Sequence, residues 1–186
     1  TDREQQVDCS FIVQHEIEES TTPSNSEEDT SQKNIVPADL GIKNIGTLPT
    51  SRWYFLKEWR RGISRIFTFN SAAKAELELK IANGKAAEAL KVQEVKPDDA
   101  KALTTALKNY TKAAERLRAR VAKLKETSEN PNVEKLLEKL NDQTLKHAVL
   151  FNQLVERDNH LQGAVDIAQK KIQDVVLTAA QKDKNI

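Results

Sequence analysis

The sequence has no methionine, one cysteine, five glycines and five prolines among its 186 residues. Each scarcity excludes something. A lone cysteine, Cys9, leaves no internal disulfide framework, so cysteine usage does not report the redox compartment. A chain without methionine lacks even an initiator and reads as a processed product or an excised piece, and a cleaved signal peptide would explain it. So few glycines and prolines, with only nine aromatic residues, argue against a sandwich or barrel of many short strands. No run approaches eighteen apolar residues, which excludes a membrane-spanning helix. Abundant Ala, Leu, Lys and Glu instead favour helices. The composition, 38% hydrophobic and 31% charged, suits a globular domain.

The net charge of +1 hides a division. Residues 1–46 hold ten acidic and three basic side chains, and the rest of the chain holds eighteen acidic and twenty-six basic ones. Within the leader, Val7, Cys9, Phe11 and Val13 alternate with mostly polar neighbours, with Ile17 resuming the phase, which is the period of a half-buried strand. One strand alone is not stable, so this segment adds to a sheet elsewhere, pairs with another copy, lies against the helical body or stays unstructured. From Glu18 to Lys33 there is no hydrophobic residue, the signature of a flexible tether.

The body opens at Leu48-Pro49-Thr50-Ser51, where Thr50 or Ser51 is placed to cap a helix. On a helical wheel Phe55, Leu56, Trp59, Ile63, Ile66 and Phe67 share one arc, and Lys57, Arg60, Arg61 and Arg65 share the opposite one. This predicts that Trp59, Ile63 and Phe67 cap the end of a bundle while the cations face water. The same four cations also suit an anionic lipid surface or a partner. Asn70 or Ser71 then caps a second helix, to about Val92, with an Ala75, Leu79, Ala82, Ala86, Leu90 stripe.

After the Lys96-Pro97-Asp98-Asp99 break, Ala100, Leu103, Leu107, Tyr110, Ala114, Leu117, Val121 and Leu124 alternate spacings of three and four without error. That is a heptad seam and requires partner helices. Asn130-Pro131-Asn132 ends it, and a further seam runs from Val133 through Leu140, His147 and Leu154 to Ala179 in one register. Unbroken phase predicts one helix of up to about 75 Å, whose far half, with Leu161, Val165, Ala168, Ile172 and Val175, would need cover from a partner. Against this, Asn159 and Gln162 have capping-box spacing and Gly163 is a poor interior residue, so a break near Asp158 is the alternative to the continuous helix that the phase prefers.

The run Leu48-Pro49-x-Ser51-x-x-Tyr54-x-Leu56-Lys57, then Thr68-Phe69, then Lys74-Ala75-Glu76-Leu77-x-Leu79 with Ala82, Ala86, Glu88 and Ala89, resembles a bacterial domain of unknown function found in secreted or membrane-anchored proteins. The resemblance is close over residues 45–92 and reaches the later helices by pattern. It implies an extracytoplasmic helical module and carries over no catalytic residue.

Catalytic signatures are few. Cys9 lies in the acidic leader, away from anything that would stabilise a thiolate. There is no glycine-rich phosphate loop, GxSxG or HExxH. Glu156 and His160 stand one helical turn apart and are weak metal candidates, since two ligands do not close a site. His147 lies in the seam itself, where a core histidine bonded to a neighbouring helix, or a register-setting polar residue, is expected. Basic residues are interleaved with Glu and lack a stacking platform, which argues against nucleic acid. Trp53, Tyr54, Phe55 and Trp59 form an aromatic cluster, by default core.

The sequence therefore predicts an all-α protein: an antiparallel helical bundle with long coiled-coil-like helices over 45–186, preceded by an extended acidic leader over 1–44, strand-like at 7–17 and a tether at 18–44. Trp59, Leu79, Leu107, Leu117 and Leu140 should share one core. The expected function is a non-enzymatic extracytoplasmic interaction or structural module that presents helical faces to a protein partner or to itself. No cofactor and no small-molecule substrate are expected. A periplasmic chaperone-like or cation-binding protein and a peripheral binder of anionic membranes are the alternatives.

Overall fold

The computed structural model describes residues 34–125 and 131–183, all within one compact unit, Lys33–Ile186. The strand-like segment Val7, Cys9, Phe11 and Val13, with the tether as far as residue 33, lies outside the described residues. Among the described residues five α-helices follow one another: α1 (Tyr54–Ile66), α2 (Ser71–Val95), α3 (Ala100–Val121), α4 (Pro131–Arg157) and α5 (Gln162–Ala180). Two short 3-10 turns, Pro37–Leu40 and Asn159–Leu161, also lie among the described residues. No strand occurs among the described residues, and none of these helices is long and apolar enough to cross a membrane.

Helices α2 to α5 form the bundle. Helix α2 packs on α3 and α4, and α5 packs on α3 and α4, so α2 and α5 occupy one diagonal and α3 and α4 the other. Successive helices run antiparallel because each connection is too short to do otherwise. Local chemistry sets the ends: Asn70 Oδ1 accepts from the Ala72 N–H at 2.8 Å, and Asp99 Oδ1 accepts from the Ala102 N–H at 2.9 Å. Helix α1 has no such side-chain cap. It starts at Tyr54, and Ser51 Oγ instead accepts from the Trp53 N–H at 3.3 Å in the preceding turn.

Leu79, Leu107, Leu117 and Leu140 lie together in the core, as their seams require. Trp59 does not: it is 68% exposed. The chain also turns at Asp158, whose extended backbone (φ −149°) ends α4 and whose Oδ1 accepts from the His160 N–H at 3.0 Å. Helix α5 then returns beside α4 and α3, burying Leu161, Val165, Ala168, Ile172 and Val175 within the same chain. The single 75 Å helix and its projecting partner seam are thereby replaced. Register alone could not distinguish them, because two helices that face one bundle axis keep the same phase as one.

The bundle also takes in more of the leader than composition suggests. Leu40 is only 2% exposed, its carbonyl accepts from Asn83 Nδ2 at 3.0 Å, and Asn34 Oδ1 accepts from Gln153 Nε2 at 3.0 Å. Residues 34–44, read above as the end of the tether, therefore pack on α2 and α4, with Gly41 (φ +71°) supplying the left-handed turn after Leu40.

Candidate interaction surface

Helix α2 carries two seams. Opposite the small-residue stripe, Glu78, Ile81, Lys85, Glu88 and Val92 recur at spacings of three and four, and all five are buried. Three of them are charged. A carboxylate buried without a partner costs about 3–5 kcal/mol, so whatever covers this second seam must bring opposite charge. Helix α1 does so, antiparallel to α2.

Around Glu88 the contacts are dense. Tyr54 Oη donates to Glu88 Oε2 at 2.6 Å, while Lys57 Nζ and Arg61 Nη2 approach Glu88 Oε1 at 2.7 and 3.1 Å. Lys57 also donates to the carbonyls of Ile45 and Thr47. Lys85 Nζ bonds the Tyr54 hydroxyl and a Glu58 carboxylate oxygen, and Arg61 Nη1 meets that same Glu58 oxygen at 2.7 Å. One helical turn further along α1, Arg65 takes Glu78 through Nε at 2.6 Å and Nη2 at 3.2 Å, with Arg116 of α3 at 3.7 Å. Gly84 leaves room for this layer, since a Cβ there would lie 3.0 Å from Arg61 Nη2.

The titration behaviour follows from enclosure. Burial, then the hydrogen bond to Glu88, raises the Tyr54 phenol well above its ordinary range. Burial, with the nearby Arg61 charge, lowers the Lys85 ammonium below its ordinary range against the opposing pull of Glu88 and Glu58. For Glu58, burial alone would raise the carboxyl, but Lys85 and Arg61 together carry it below its ordinary range. These groups are spent on one another: each charge serves to make a neighbour's burial tolerable.

The consequence appears on the other side of α1. With its polar arc turned inward, Trp53, Phe55, Leu56, Trp59, Ile66 and Phe67, joined by Phe69, face solvent at 45% to 83% exposure. This reverses the expected orientation of α1. Of the four predicted surface cations, Lys57, Arg61 and Arg65 are consumed by Glu88 and Glu78, and Arg60 alone stays exposed. Tyr54 leaves the aromatic cluster for the ion layer, while Trp53, Phe55 and Trp59 stay outside the core.

The other candidates separate. Glu156 and His160 are both exposed, and the turn at Asp158 removes them from a common helix face. Among the described residues no three His, Cys, Asp or Glu side chains gather as metal ligands. His147 lies at the bundle centre with Nδ1 3.0 Å from Tyr110 Oη, joining α4 to α3 across the diagonal, and Phe151 packs edge-on against Tyr110. Burial lowers the His147 pKa to about 3.

Comparison with protein-family models matches residues 46–184 to a "Domain of unknown function (DUF5667)". No curated protein and no solved structure matches the chain.

Proposed function

The chain belongs to the DUF5667 family, a domain of unknown function, and from that premise we propose a non-enzymatic interaction module that docks through the outward arc of α1. One observation carries this reading: seven large apolar side chains face solvent on and beside a helix whose polar arc is committed to buried ion pairs. An apolar face of that kind marks an interaction site. Its two tryptophans suit the role, because tryptophan is enriched among the residues that dominate interface energetics.

A non-enzymatic role accords with the ion layer, where each titratable group is occupied by a neighbour on α1 or α2. The location outside the cytoplasm rests on the resemblance of the Leu48–Lys57 run to secreted or membrane-anchored proteins.

The test compares cells producing the full chain with cells producing a Trp59→Ser, Phe67→Ser chain. The unsubstituted chain should co-fractionate in a larger assembly, protein or membrane, and the variant should run free with an unchanged melting midpoint. Identical fractionation of the two chains refutes docking through α1.

A further inference from the structure

Resting on that docking reading, we infer that the occupant of the α1 face is the surface of an anionic lipid bilayer. Three observations converge. The first is shape: thirteen helical residues give a convex stripe about 20 Å long. A convex stripe carrying Trp53, Trp59, Phe67 and Phe69 matches a helix lying in the plane of a membrane interface, where aromatic side chains concentrate.

The second is charge. Between Gly41 and Ala75 the only acidic residue is Glu58, and it is turned toward Lys85 and Arg61. Once Glu78 and Glu88 have taken Lys57, Arg61 and Arg65, the exposed charges left on this segment are Lys43, Arg52 and Arg60. The apolar stripe is thus bordered by cations of its own segment, which an anionic lipid surface complements.

The third is a shallow cavity of about 490 Å³ beside the stripe, lined by the 44–47 loop with Trp53, Leu56, Lys57 and Arg60. It sets apolar wall against an exposed guanidinium, the pairing that a phospholipid presents where headgroup meets acyl chain.

Both tryptophans of the chain lie on this stripe, so their emission reports on it directly. The full chain is mixed with vesicles of phosphatidylcholine, or of an equimolar mixture of phosphatidylcholine and phosphatidylglycerol, and followed by flotation and by quenching with brominated lipid. Association with the anionic vesicles is expected, with a blue shift and quenching of tryptophan emission that weaken as salt is raised. Replacing Arg52 and Arg60 by Gln should weaken partitioning about fivefold per cation, and Trp59→Ser with Phe67→Ser should abolish it while the far-ultraviolet circular dichroism stays unchanged. Equal association with neutral vesicles, or undiminished binding by the serine variant, overturns the inference. If no vesicle binds yet the serine variant still leaves the cellular assembly, the occupant is a protein and docking stands without the bilayer. If neither experiment responds to the substitutions, both readings fall.

Discussion

Arg65 holds the buried carboxylate of Glu78 with two nitrogens, Nε on one oxygen and Nη2 on the other, at 2.6 and 3.2 Å. This forked contact and the Glu88 cluster one turn away attach α1 to α2, while the apolar arc of α1 contributes little to attachment. Charge, and not apolar burial, therefore anchors this helix.

Removing Glu88 should accordingly free α1 and spare the bundle. A Glu88→Ala change leaves Lys57, Arg61 and Lys85 short of a partner, a loss of about 3–5 kcal/mol for a buried pair. Amide exchange across Tyr54–Ile66 should rise toward that of an unfolded peptide while α3, α4 and α5 stay protected. Unchanged protection in α1 would show that something other than the ion layer holds it.

Two apolar substitutions should behave oppositely despite similar chemistry. Leu117 is fully buried, and Leu117→Ala should destabilise by about 2–5 kcal/mol. Trp59 is exposed, and Trp59→Ser should change stability by no more than about 0.5 kcal/mol. Urea denaturation of both variants checks the pair. A large loss from Trp59→Ser would return α1 to the orientation expected from the wheel.

The enclosed imidazole makes stability depend on pH. The folded-state pKa of His147, about 3, lies below its unfolded value of about 6.5, so between these values the unfolded chain binds the extra proton and stability falls as pH falls. Going from pH 7 to pH 5 should cost about 2 kcal/mol through this group. Glu58, whose carboxyl is held below its ordinary range, is lost only at lower pH and leaves the window from 5 to 6.5 to His147. Parallel denaturation series of the parent and His147→Gln test this: the parent should lose stability across that window and the variant should not. Equal slopes would locate the titration elsewhere.

The turn between α4 and α5 depends on a side-chain cap. Asp158→Ala removes the acceptor for the His160 N–H and should cost about 1 kcal/mol, seen as a lower thermal midpoint. No shift would mean that packing of Leu161 alone fixes the turn.

Spacing made most of this architecture legible. The seams of α2, α3 and the final pair of helices identify their buried residues, and Pro97 with Asp99 marks a boundary that the structure keeps. What misled was α1, because a wheel divides a helix into two arcs without saying which one faces in. The deciding signal sat in α2, where Glu78, Lys85 and Glu88 fall in step with Ile81 and Val92. A helix with seams on two sides must be covered on both. In the flanking sequence, the arc with charges to match is Lys57, Glu58, Arg61 and Arg65. The aromatic face was therefore readable as surface only by considering two helices together. The turn at Asp158 was visible in Asn159 and Gly163 but masked by the continuity of phase.

That continuity has its own consequence for the turn. A chain straightened at Asp158 would carry Val165, Ala168, Ile172 and Val175 along the line of the α4 core residues and away from the helices that cover them, so the cap at Asp158 and the three residues Asn159 to Leu161 are what fold the second half of one hydrophobic line back onto the first.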